Sequence, residues 1–227
     1  MNSKYSNVLT VLLVLVVIAI IGIIIFLGYR YYKSSEIKNN SEEFVGSFVN
    51  DATSEENNNK DTTLDGDMFS GVEQVEPNGG DGSANGSSGG RKEYNGYAIS
   101  GTIEIPAIKL KYPVIAQSDY STSALDTSVV ERYGNGLNQV GNTTIVGHNY
   151  RNGLFFSNNK KLQIGDKIYI TDLSGKRLSY TIYNKYEGSD TESDYMTRDT
   201  QGAIEISLST CTDDSKARLI IWAKADS

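Results

Sequence analysis

Residues Val8 to Leu27 form an uncharged apolar run of 20 residues. At about 1.5 Å of rise per residue such a run spans the roughly 30 Å of a bilayer's hydrocarbon. Tyr29, Tyr31 and Tyr32 follow, mixed with Arg30 and Lys33, the composition expected where a helix enters the headgroups. A cleaved signal peptide is the competing reading. It would have a shorter apolar region ending in a small-residue site, and neither is present. The reading is a single-pass cell-membrane protein with a cytoplasmic tail at 1–7 and an uncleaved anchor at 8–27. Orientation by charge leans the other way, since Lys4 precedes the run whereas Arg30, Lys33 and Lys38 follow it.

Residues 28–93 read as a flexible acidic linker rich in Asn, Ser and Gly, ending in the Gly/Ser/Asn stretch from Pro77 to Gly90. Few aliphatic side chains leave too little apolar area to offset the entropy of ordering. The patches Phe44-Val45 and Phe48-Val49 allow no more than a transient helical turn. Net charge is −7, which argues against nucleic acid or an anionic surface as partner.

From Tyr94 to the C-terminus, 94–227, strand and turn signals take over. Tyr97–Ile105 alternates and stops at Pro106; Leu110–Ala116 is a strand held to an edge or bulge by Pro113. Ser121–Arg132 carries spaced apolar residues behind capping hydroxyls and is expected to be a short helix. Thr143–His148 is a strand and Leu154–Leu162 a helical turn. Lys167–Thr171 and Leu178–Tyr183 flank Asp172-Leu173-Ser174-Gly175 as a hairpin. Gly188–Gly202 is a polar loop, and Ala203–Leu208 and Arg218–Ala223 complete the set. The predicted class is mainly β: a closed antiparallel β-barrel of about seven to eight strands with one or two short helices.

The only cysteine, Cys211, ends one apolar strand, and Arg218 opens the next across the polar loop Asp213–Lys216. The only histidine, His148, closes a third strand. A thiolate is the effective nucleophile and needs a nearby cation or base. His148 can supply one and then protonate a departing amine. Arg218 offers a cationic fork to a developing oxyanion. The chemistry implied is acyl transfer at an amide through a thioester. Each residue also has a plain alternative: a buried thiol filler, a surface imidazole, a solvated strand-end charge.

The segments Thr144-Ile145-Val146-Gly147-His148-Asn149 and Leu208-Ser209-Thr210-Cys211, with Arg218, resemble the sortase signature. So does Gly101-Thr102-Ile103-Glu104-Ile105-Pro106, and so does the anchor with its tether. The resemblance covers roughly Tyr97 to the C-terminus. It implies a cysteine transpeptidase with Cys211 as nucleophile, His148 as general acid then base, and Arg218 holding substrate and oxyanion. Thr210 would orient the bound peptide and polarise its carbonyl. The implied partners are a sorting-signal peptide of secreted proteins and an amine of a cell-wall precursor, with the catalytic domain extracytoplasmic. That placement overrides the charge count. Leu208–Cys211 with Ala217-Arg218 resembles class B, yet Gly188–Gly202 is shorter than that branch's helix-bearing insertion, so class B-like and class D-like both stand. Asp190, Glu192 and Asp194 cluster in that loop, where some sortases bind calcium. They read here as a solvated acidic loop, with no cofactor expected and calcium as the alternative.

Two other readings remain at this stage. An L,D-transpeptidase usually has its Cys after Ser-His-Gly and two residues before Arg, whereas Arg218 lies seven beyond Cys211. Papain-like hydrolases place Cys before His, the reverse of this order. A non-enzymatic adhesion or scaffold module would bury Cys211.

Overall fold

The computed structural model describes the backbone at residues 3–58 and 92–226. The first helix, α1, runs without a break over Ser3–Asn58. Its apolar part is exposed along its whole length, from Leu9 to Leu27, and is long and apolar enough to cross a membrane.

The flexible linker expected from residue 28 is corrected over its first half, where the chain continues as helix. Ser34, Ile37, Ser41, Val45, Phe48 and Ala52 recur at intervals of three and four residues, the period that puts them on one helical face. That face packs along the barrel: Ser41, Val45 and Phe48 are buried. Ser41 Oγ lies 3.1 Å from Tyr94 Oη, and Phe44 meets the Tyr94 ring edge-on at 5.1 Å. Extending a helix already nucleated in the anchor adds one hydrogen bond per residue fixed, without a fresh nucleation cost. A sparse apolar stripe then suffices to hold it. The rest of the expected linker, 59–91, lies outside the described residues.

The barrel strands are β1 (Glu93–Tyr94), β2 (Tyr97–Ile105), β3 (Leu110–Ile115), β4 (Val129–Tyr133), β5 (Gly141–Val146), β6 (Lys167–Asp172), β7 (Arg177–Ser189), β8 (Ile204–Cys211) and β9 (Ala217–Ala225). Their order is β1-β2-β3-β4-β5-β8-β9-β7-β6, and β6 pairs back onto β2, so strands β2 to β9 close on themselves. The seam is tight at Gly101, where a Cβ would sit 2.2 Å from the Thr171 carbonyl oxygen. Alternate residues Ile103, Ile105, Val114, Ile145, Ile168, Ile170, Ile182, Ile206, Leu208 and Ile221 point inward with Phe156 and Tyr180 to fill the interior.

The closed barrel agrees with expectation, and most pairings are antiparallel. Two are parallel, β3–β4 and β5–β8, so the sheet is mixed. Two short helices accompany it, α2 (Thr122–Thr127) and α3 (Asp194–Thr197). The helix expected over Ser121–Arg132 ends at Thr127. Ser121 Oγ caps it by accepting from Ala124 N at 3.1 Å, and Val129 and Val130 instead enter β4 beside Val114 and Ile115. β-branched neighbours buried in a sheet outweigh a helical spacing.

Candidate active site

Cys211 ends β8 and Arg218 opens β9, and the two are direct cross-strand partners. Arg218 Nη1 donates to Cys211 Sγ at 3.1 Å. The five-residue loop between the strands, 212–216, is held by Thr212, whose N–H donates to the Ala217 carbonyl at 3.0 Å and whose Oγ1 donates to Asp214 at 2.7 Å. A tight, internally bonded turn therefore fixes the facing of thiol and guanidinium.

His148 reaches the same level through the parallel pairing of β5 with β8. Val146 registers with Ser209, and Gly147 N continues the ladder by donating to the Ser209 carbonyl at 3.2 Å. His148 and Cys211 each lie two residues further on, at the same end of adjacent strands spaced about 4.8 Å apart. An antiparallel neighbour would have put the histidine at the opposite end. Gly147 permits the approach: a Cβ there would lie 2.9 Å from Val129 Cγ1 and 3.0 Å from Phe156.

Residues without an assigned role hold this end of the barrel. Asn149 Nδ2 donates to the Cys211 carbonyl at 3.0 Å and to Asp213 Oδ1 at 2.9 Å, tying the histidine loop to the cysteine strand. Lys160 closes the same latch onto Asp213 Oδ2 at 2.5 Å. The Lys160 bond first, and the Asn149 bond second, hold the Asp213 carboxyl below its usual value. On the other flank the Tyr150 ring stacks on His148 with centroids 4.7 Å apart. Tyr150 also donates its hydroxyl to Asp126 on α2, and Asp126 Oδ1 is 3.3 Å from His148 Nε2. Partial burial, then the Asp126 bond, pushes the Tyr150 phenol up to about 12. His148 Nε2 is buried and makes no well-aligned hydrogen bond. Asn149 stands inside the motif that pointed to His148; Asp126 and Tyr150 carry no sequence signal, because the chain reversal that joins them is tertiary.

His148, Cys211 and Arg218 together line a groove of about 510 Å³, walled by Tyr120, Leu125, Arg132 and the 190–196 loop. Cys211 is half-buried and accessible from it, unlike the filler of a scaffold module. Thr210 is not on this groove. As the alternate residue of β8 it faces a second cavity of about 300 Å³, which Cys211 also lines with Glu187, Asp213 and Asp214. Its Oγ1 is buried with no hydrogen-bond partner among the described residues.

The groove wall is anchored from below. Tyr195 Oη lies 3.1 Å from Ser209 Oγ, and Asn142 Nδ2 donates to the carbonyls of Tyr195 and Met196, each at 3.0 Å. Ser207 Oγ donates to Asn142 Oδ1 at 2.9 Å. Arg198 adds a bond to Asn142 at 3.0 Å and pairs with the buried Glu205. Glu192 accepts from Tyr186 Oη at 2.7 Å, and no three metal-ligating side chains converge among the described residues.

A closed mixed barrel with a strand-end thiol, an adjacent arginine and a histidine on the parallel neighbour defines a thiol acyltransferase. The sortase domain model matches residues 103–226, and the chain belongs to the sortase family, whose members are cysteine transpeptidases. A sortase D5 transpeptidase from Clostridium perfringens is similar at 26% identity and TM-score 0.52, over 57% of this chain and 80% of that one. A lid mutant of sortase A from Corynebacterium diphtheriae matches at 25% and 0.52, over 58% and 72%. A Clostridium perfringens sortase C, solved with the C-terminal cell wall sorting motif, matches at 24% and 0.50, over 57% and 71%. No protein of curated function matches the sequence.

Proposed function

We propose that this transpeptidase cleaves a C-terminal sorting motif in the groove beside His148 and passes the acyl chain to an amine entering from the second cavity. The observation that carries it is the place of Cys211, bonded by Arg218 and exposed to a cavity on each side. Cys211 reacts as the thiolate beside the Arg218 guanidinium. Its sulfur forms a bond to the scissile carbonyl carbon, whose oxygen takes the negative charge beside the guanidinium. As the C–N bond breaks, His148 gives its proton to the leaving amine, and a thioester remains. The incoming amine then attacks the thioester, His148 removes its proton, and Cys211 leaves as thiolate.

Thr210 is kept as a substrate-binding residue on the second-cavity side of Cys211, where the acceptor entering there would meet its unpartnered hydroxyl. Glu187 and Asp214 make the second cavity suited to an ammonium group, Asp213 being held there by Lys160. The sortase C solved with a sorting motif supports the peptide class. An extracytoplasmic barrel follows from the same reading, because a wall-precursor amine is met there.

The test uses the full chain in lipid nanodiscs with a panel of sorting peptides and a diamine acceptor. A peptide adduct on Cys211 should be trapped by mass spectrometry, and Cys211→Ala should abolish both adduct and turnover. His148→Ala or Arg218→Ala should cut turnover by orders of magnitude. Turnover surviving in Cys211→Ala would sink the assignment.

A further inference from the structure

Beside the membrane end of the barrel lies a cavity of about 290 Å³ that the acyl-transfer reaction does not use. One wall is α1 from Tyr29 to Ile37, with Arg30, Lys33 and Ser34. The other is the loop that follows His148, with Tyr150, Asn152 and Leu154. We propose that this cavity binds the phosphate headgroup of an anionic membrane lipid.

Depth selects the ligand. The apolar run ends at Leu27, so Arg30 and Lys33 stand about 5 to 9 Å beyond the hydrocarbon edge, at 1.5 Å per residue. Headgroups occupy roughly 5–8 Å on each side of the hydrocarbon. A lipid phosphate is thus held at the level of both cations, with its glycerol and upper acyl carbons turned back past Tyr29 towards the apolar run.

Charge and donors agree. Among the described residues neither Arg30 nor Lys33 has a carboxylate partner within ion-pair distance. A guanidinium and an ammonium on one helical turn supply a fork and a point charge to phosphate oxygens. Ser34 adds a hydroxyl, and Asn152 a side-chain amide: its Oδ1 is taken by Leu154 N at 3.0 Å, whereas its Nδ2 bonds nothing among the described residues. A small cavity beside it is lined by Lys38, Lys109 and Lys111, of which Lys38 is paired with Glu42 at 3.8 Å and Lys111 with Glu104 at 3.3 Å. Net charge of −7 opposes attraction to an anionic surface at long range. At contact, within a Debye length of about 8 Å, the local cations decide. The excess of cations after the apolar run, unfavourable for an extracytoplasmic barrel by charge count alone, thereby acquires a ligand.

Occupancy would reach the catalytic centre through one side chain. Tyr150 lines this cavity and stacks on His148. A headgroup packed against the phenol restricts the ring and, through it, the imidazole. Lipid binding itself does not depend on the transpeptidase reading; only its effect on rate rests on that reading.

The experiment takes the full chain from nanodiscs of phosphatidylcholine alone, or doped with phosphatidylglycerol, into mild detergent for native mass spectrometry. Phosphatidylglycerol should stay bound in preference to phosphatidylcholine. Arg30→Gln/Lys33→Gln should release it, and so should Ser34→Trp, which fills the cavity and leaves both cations in place. Peptide turnover should be severalfold higher in the doped discs, and the double variant should show the phosphatidylcholine rate in both. Equal retention of the two lipids, or unchanged retention in both variants, would overturn the site. Displacement of the lipid by millimolar inorganic phosphate would overturn the lipid as its occupant. Retention is read without turnover, so its loss is distinguishable from a failure of the catalytic assignment.

Discussion

Asn149 ties the loop after β5 to the end of β8. One amide nitrogen bridges the Cys211 carbonyl and Asp213, and the adjacent residue is His148. Asn149→Ala should leave peptide binding largely intact and lower kcat by on the order of 10–100-fold, the cost of a small misplacement of reacting groups. Steady-state kinetics separating kcat from KM checks this, and an unchanged kcat would show that the bridge positions nothing. The latch has a pH signature. The folded state favours ionised Asp213, so its stabilisation is present above the usual carboxylate value of 3.8 and is lost as pH falls through the lower folded value. The melting-temperature gap between the parent and Asp213→Asn should be full at neutral pH and close in acid. Cys211, Arg218 and His148 were legible in the sequence because each ends a clear apolar run. Their facing followed for the first two, where only a five-residue polar loop joins the runs. Asp126 and Tyr150 were not legible, since nothing local to either residue encodes the other.

At the level of elements, the sequence showed strands but not which of them run side by side. β5 and β8 are separated by more than fifty residues and pair in parallel. No turn signal marks such a pairing. Yet it is this pairing that puts His148 level with Cys211. Beneath the groove the same two strands carry Asn142, Ser207 and Glu205, which fasten the 195–198 segment from below. Side chains of Arg198 and Glu205 are only 12% and 8% exposed, so their ion pair is desolvated on both sides. Arg198→Met strands a buried carboxylate and should cost about 3–5 kcal/mol in denaturant unfolding, whereas Arg198→Met/Glu205→Leu should recover much of it. If the single variant unfolds like the parent, the groove wall is not held by this pair. The neutral bonds of Asn142 to Tyr195 and Met196 would then suffice.

For the whole molecule, α1 is a strut rather than a tether over its described length. It carries the apolar run, lines the cavity beside the histidine loop from Tyr29 to Ile37, and reaches Tyr94 on β1 through Ser41 and Phe44. The end of the barrel that carries His148 is therefore held beside the helix just beyond its apolar run. The stripe was hard to read because its members sit among Asn, Ser and Glu, and three of the six are serine or alanine rather than large apolar groups. Continuity with the anchor supplies what composition lacks. Gly46 lies mid-stripe, and Gly46→Pro removes a helical hydrogen bond and clashes with the preceding turn, at about 3 kcal/mol or more. The helix should kink between Ser41 and Phe48, loosening the contacts that fix the barrel's height and orientation. Transfer to an amine presented on a lipid in the same nanodisc should then fall steeply, and transfer to a soluble diamine should hold close to the parent rate. The soluble acceptor also reports that the barrel remains folded. Equal rates with the lipid-borne amine before and after substitution would mean that the helix only anchors the barrel. A parallel loss with both acceptors would place its role in stability, since Val45 and Phe48 each contribute about 1.5–3 kcal/mol by burial.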